Sequence, residues 1–307
     1  MSICWGVADM GKLLSAAMSN LLSAGVYRLL RSKVFYVCLA AMFLLEIFFL
    51  QGAAGDRTYW NEGLESSYFL YTLLLPLAAA AFCGLFFGAE YSSGTLRNKF
   101  TAGYGKIKVY LSNTLLSMLA ALCFIAAGAL GGLLFQVISG EEFQLETVEL
   151  VQAFACSLGV GVTSASLCTL LAMLISSRSI GVVISLLAAV CTLYFAPFVN
   201  SCLEQPETIP QIKKTETVIN GMTIYGGEID ESLPEIPNPD YPSPAVKAVY
   251  EFLWDSVPAC QGYRLTNEFR NGFKEESEPY DMLAGAAALT LISTAAGLAI
   301  FQRKDVK

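Results

Sequence analysis

Six long runs with almost no charge fix what this chain can become: Val34–Leu50, Tyr68–Gly88, Val109–Ile138, Val151–Ile175, Ile180–Val199 and Met282–Phe301. The hydrocarbon core of a bilayer is ~30 Å thick, so a spanning helix needs roughly 20 predominantly apolar residues. Each run is close to that length, and Glu46 is the only charged residue in any of them. The runs are too long and too unalternating for barrel strands, and lipid tolerates only helices or closed barrels. The expected fold class is an all-α integral membrane protein with six transmembrane helices.

The charges, confined to the intervening segments, give orientation. The N-terminus, the connections after the second and fourth spans, and the C-terminus carry twelve cations against three acids. The other face carries seven cations against twenty-two acids. The formal net charge of −7 is thus two opposite faces averaged, and it implies neither a basic partner nor nucleic acid. Short basic connections stay inside, so both termini are expected in the cytoplasm.

Residues 1–33 lack the unbroken apolar core of a cleaved signal. Leu13, Leu14, Met18, Leu21, Leu22, Leu29 and Leu30 recur at helical spacing and end in Arg28, Arg31 and Lys33. That pattern fits either an amphipathic helix in the cytoplasmic interface or a plain helical lead-in to the first span, and Met18 is an alternative start. Residues 34–199 hold spans one to five. Residues 200–281 form a large external loop, and residues 282–307 the last span and tail. In the loop, "GGEIDESLPEIPNPDYPSP" reads as irregular. "AVKAVYEFLWDSVPACQGYRL" reads as a helix with Val246, Val249, Phe252 and Leu253 on one face, broken near Pro258. Cys202 and Cys260 are the only cysteines in external loops, which makes them a candidate disulfide if the exterior is oxidising.

Absences narrow the chemistry. The sequence has no histidine, which removes His-based triads, His-ligated metals and His proton relays. It has no C-x-x-C pair, no G-x-S-x-G elbow and no G-x-x-x-x-G-K-[ST] phosphate loop. No catalytic residue, metal site or cofactor is expected on this chain.

What stands out is the connection between spans two and three, "EYSSGTLRNKFTAGYGKIKVYLS" from Glu90 to Ser112. Glu90 is placed at the start of a short helix, with Ser92, Ser93 and Thr95 able to cap it and Leu96 and Phe100 giving it an apolar face. Gly103 and Gly105 allow a turn back into the membrane. Such a helix can pass on a push from a soluble partner, and the same residues equally suit a positive-inside topology anchor. The stretch resembles the signature of the ABC transporter type-2 permease family, in the branch of bacitracin and lantibiotic exporters: an acid at Glu90, a Gly-Thr pair at Gly94 and Thr95, then Gly103 and the basic Lys106. The family more often has Arg where Lys106 stands and Lys where Asn113 stands. A basic amphipathic N-terminus, six spans and a proline-containing "FLWDSVPACQGYRL" before the last span are also similar.

The resemblance implies a coupling helix over residues 90–105, with Glu90, Gly94, Thr95, Leu96, Arg97, Phe100, Gly103 and Lys106 forming the interface to ATPase subunits. Two separate P-loop ABC ATPase subunits would carry ATP and Mg, and a second permease chain, identical or related, would complete the complex. Gly84/Gly88 and Gly128/Gly132 have the spacing that lets membrane helices approach closely, within one chain or between two. Glu46, near the external end of its span, either reaches water there or contacts a substrate or cation. Pro76 removes a helix hydrogen bond and is a candidate kink for gating. The implied function is ATP-driven export of a peptide antibiotic or other amphipathic compound. A sodium or small-solute exporter, and a non-transporting sensor or scaffold, remain the alternatives.

Overall fold

The computed structural model describes residues 18–60, 65–140, 146–219, 222–229, 233–271 and 279–305. The described residues begin with helix α1 over residues 18–30, which turns into α2, Lys33–Trp60. A single turn, α3 (Glu65–Tyr68), leads to α4 (Tyr71–Ser92) and the short α5 (Thr95–Thr101). Then come α6 (Lys106–Ser139), α7 (Thr147–Leu174) and α8 (Arg178–Leu203). After a long insertion the last helix is α11 (Pro279–Arg303). Six of these helices, α2, α4, α6, α7, α8 and α11, are long and apolar enough to cross a membrane, and they coincide with the six uncharged runs.

Burial sorts the six. α4 and α7 form the inside of the bundle, whereas α8 and α11 show most of their surface outward. Helices in lipid gain nothing from hiding grease from grease, so close approach and hydroxyl pairs hold them together. Gly84 and Gly88 of α4 lie against the backbone of α8, where an added Cβ would sit 2.9 Å from Val182 Cα and 3.1 Å from Arg178 Cα. Gly128 and Gly132 of α6 receive the rings of Tyr71 and Tyr68. Both glycine pairs are therefore used within the chain. Between α7 and α11, Thr163 pairs with Thr290 (3.1 Å) and Ser166 with Ser293 (2.7 Å) and Thr294 (2.9 Å).

At the end of the bundle away from α1, the insertion folds more than its composition announced. Ile212–Ile219 and Met222–Ile229 pair as antiparallel strands β2 and β3, so the first glycines of the stretch read as irregular belong to a strand. Ile219 faces Met222, which leaves two residues between the strands. In the sequence those positions are Asn220 and Gly221, which lie outside the described residues; Asn-Gly is the pair most typical of two-residue hairpin loops. A shorter pairing joins β1 (Thr208–Ile209) to β4 (Ile236–Pro237).

α9 (Pro244–Ser256) and α10 (Pro258–Asn271) follow, broken at Pro258 as expected. Val246, Val249 and Phe252 are exposed, while Tyr250 and Trp254 pack against α8. α10 closes over α3, α4, α7 and α8. Pro76 explains part of that fit. Without its N–H, the Thr72 carbonyl loses its donor one turn back, and Gly262 of α10 packs there, where a Cβ would stand 3.1 Å from Thr72 O.

Candidate coupling site

The connection between α4 and α6 is built by two left-handed glycines. Gly94 (φ +70°) reverses the chain after α4, and Gly103 (φ +87°) ends α5. The Tyr104 N–H donates to Lys99 O at 3.2 Å and the Gly103 N–H to Phe100 O at 2.9 Å, the paired bonds of a Schellman close. Gly105 is extended, not left-handed, and caps α6. α5 has no side-chain cap: Ser93 Oγ donates back to Ala89 O and pairs with Thr95 Oγ1, each at 2.7 Å, and Gly94 is the N-cap residue. The serine and threonine capping read from the sequence is not made.

Glu90 is also not at the start of α5. It lies in the last turn of α4, buried to 1% exposure. Its Oε1 accepts from Lys99 Nζ of α5 at 2.7 Å and pairs with Arg28 Nη1 of α1. Its Oε2 accepts from Asn113 Nδ2 of α6 at 3.2 Å. The Arg28 guanidinium also lies over the Phe86 ring, 4.1 Å from its centroid. One carboxylate thus ties four helices. Burial pulls the Lys99 ammonium below its ordinary lysine value, and Glu90 partly restores it.

The expected interface residues divide by side. Leu96 is buried and Phe100 packs towards Phe301 of α11, so these hold α5 to the bundle. Lys106 donates to the carbonyls of Gln302 (3.0 Å) and Lys304 (2.8 Å), where it caps the end of α11. Lys304 in turn reaches Tyr91 Oη (2.9 Å), Met173 O and Leu174 O (both 3.0 Å), and burial lowers its pKa to about 8. Glu90, Leu96, Phe100 and Lys106 therefore serve α5 from within, and the surface that α5 turns outward is Arg97, Asn98 and Thr101, followed by Gly103. No part in this cluster was read from the sequence for Arg28, Lys99, Asn113, Tyr91 or Lys304. Only their position in space shows their part, although the basic run at Arg28 and the Asn at 113 were visible.

The remaining candidates lie elsewhere. Glu46 does not reach water: it is fully buried, the Tyr71 backbone N–H lies towards its carboxylate, and among the described residues neither carboxyl oxygen makes a hydrogen bond of ordinary geometry. It faces α6 where Gly131 lets the helices close up. Cys202 and Cys260 are both free thiols. Cys260 is packed with Ala196, Val199 and Ala259, and burial lifts its thiol to about 12. The structure does not join the two sulfurs, and Cys260 is part of a small apolar core. Pro76 lines an apolar cavity of about 210 Å³ between α4, α7 and α8, with Cys168, Ser164, Ser185 and Thr192 beside it and Pro258 of α10 at its edge. Among the described residues, no group of three or more His, Cys, Asp or Glu is placed to hold a metal ion.

Six helices long and apolar enough to cross a membrane, with a short helix slung between the second and third, define a multi-pass membrane protein. The family model described as ABC-2 family transporter protein matches residues 21–196, from α1 to near the end of α8, and the chain belongs to that family. It is therefore the membrane subunit of an ABC transporter, a kind of subunit that works with an ATPase partner. No curated protein matches the chain.

Proposed function

We propose that this chain is the permease of an ATP-driven exporter of the bacitracin and lantibiotic type, moving a peptide antibiotic or other amphipathic compound out of a bacterial cell. The reading has both termini in the cytoplasm, two P-loop ATPase subunits carrying ATP and Mg, and a second permease chain, identical or related.

One observation carries it: α5 is anchored from inside through Glu90, Leu96 and Phe100, while Arg97, Asn98 and Thr101 face outward. A push on the outer face is passed to α4, α6 and α1 through a single buried carboxylate. The apolar cavity beside Pro76, with a few hydroxyls on its wall, supports an amphipathic cargo over a small hydrated ion. The test is co-purification from native membranes in mild detergent. A stoichiometric P-loop ATPase is expected, lost when Gly94→Leu tilts α5 or Arg97→Glu reverses its outer charge, with the chain still inserted. Intact, abundant chain with no ATPase attached would overturn the proposal.

A further inference from the structure

Helix α9 has three unlike sides. Tyr250 and Trp254 pack against α8. Lys247, Glu251 and Asp255 recur every four residues and gather the charges on a second side. Val246, Val249 and Phe252 recur every three residues on the third, with 43%, 56% and 50% of their surface open. In water such a stripe would be an unmet apolar patch. It continues the outward face of α8, where Tyr194 and Phe198 are more than half exposed. The Phe198 ring stands edge-on to Tyr250 of α9, with 6.2 Å between centroids.

The depth of α9 agrees with that continuity. Its last turn lies against Gly285 of α11, inside the apolar run that starts at Met282. The bend at Pro258 goes lower still, to the edge of the cavity lined by Ser185 and Thr192, and Thr192 is about two turns inside the run of α8 that ends at Val199. A helix standing clear of the bilayer could not reach those levels. Rings such as Tyr250 and Trp254 suit the boundary between headgroups and acyl chains.

We propose that α9 is an interfacial helix held in the leaflet away from α1, with Val246, Val249 and Phe252 turned into the lipid and Glu251 towards headgroups and water. The partner of this surface is the bilayer, and through it the insertion between α8 and α11 is tied to the membrane. The proposal needs only the six spans; neither the cargo nor the ATPase enters it.

The experiment is spin labelling of the full chain in phosphatidylcholine nanodiscs, with a single cysteine at residue 249, 252 or 251 in a background without other reactive thiols. Collision rates are measured with oxygen, which concentrates in lipid, and with a neutral nickel chelate, which stays in water. The oxygen-to-nickel ratio at residues 249 and 252 is expected to be roughly fivefold or more above that at residue 251. Phe252→Glu should bring the ratio at residue 249 down towards the value at 251, while a label at residue 187, on the outward face of α8, keeps its ratio and reports that the chain is still inserted. Equal ratios at residues 249, 252 and 251 would place the stripe in water and overturn the proposal. Low collision rates with both reagents at 249 and 252 would show a protein, such as a second copy of this chain, covering the stripe, and would overturn it too.

Discussion

Glu90 and Glu46 show how differently two buried acids can be treated. Glu90 is met on both oxygens by Arg28, Lys99 and Asn113, while among the described residues Glu46 has no side-chain partner and only the Tyr71 backbone N–H towards it. Breaking a buried pair by removing one partner typically costs ~3–5 kcal/mol, because the other charge is left behind. Glu90→Ala is expected to lower the melting temperature of the detergent-solubilised chain and to free α1 from α4, read as increased spin-label mobility at residue 24. Burying an unpaired carboxylate carries a penalty of its own. Glu46→Gln removes that penalty and should leave the melting temperature equal or higher. A drop for Glu46→Gln comparable to that for Glu90→Ala would show that Glu46 has a partner. At this scale the sequence was only half legible. A lone acid after a span is plain to see, but its burial depends on α1 and α5 folding back over it, which no local pattern encodes.

Among the elements, α5 is defined by its two left-handed glycines and by the tail that locks beside it. Lys304 holds three acceptors from α4 and α7 but is pulled down to about 8 by burial. A lysine whose docked pKa lies below its free value disfavours docking when protonated. The contact therefore strengthens as pH rises from about 8 towards the ordinary lysine range, and is insensitive to pH below about 8. Dipolar broadening between spin labels at residues 176 and 305 should show the closed-to-open ratio rising severalfold as pH goes from about 8 to 9.5. A ratio that falls over that range would contradict the docking. Span positions were readable because hydropathy is a property of each run alone. The α5 helix was readable from its glycines. The acceptors of Lys106 and Lys304 were not, since they lie almost two hundred residues away or on another helix.

For the molecule as a whole, the small-residue seams are already spent on its own packing. Gly84 and Gly88 seat α8, and Gly128 and Gly132 seat Tyr71 and Tyr68. Gly84→Leu is accordingly expected to expel α8 and destabilise the isolated chain, by ~1–3 kcal/mol or more since the atom it meets is backbone. The check is thermal unfolding at several detergent-to-protein ratios: a loss independent of protein concentration fits packing within one chain, whereas a loss that vanishes on dilution would place the glycines at a seam between copies.

The Lys106 contact has a consequence for how the chain is made. Lys106 leaves the ribosome long before the carbonyls of Gln302 and Lys304 that receive it. During synthesis the connection between α4 and α6 must wait, without this contact, until the final helix has been made. A chain stopped before that helix would carry every residue of α5 and its Glu90 anchor, and would still lack the latch that ties the start of α6 to the tail.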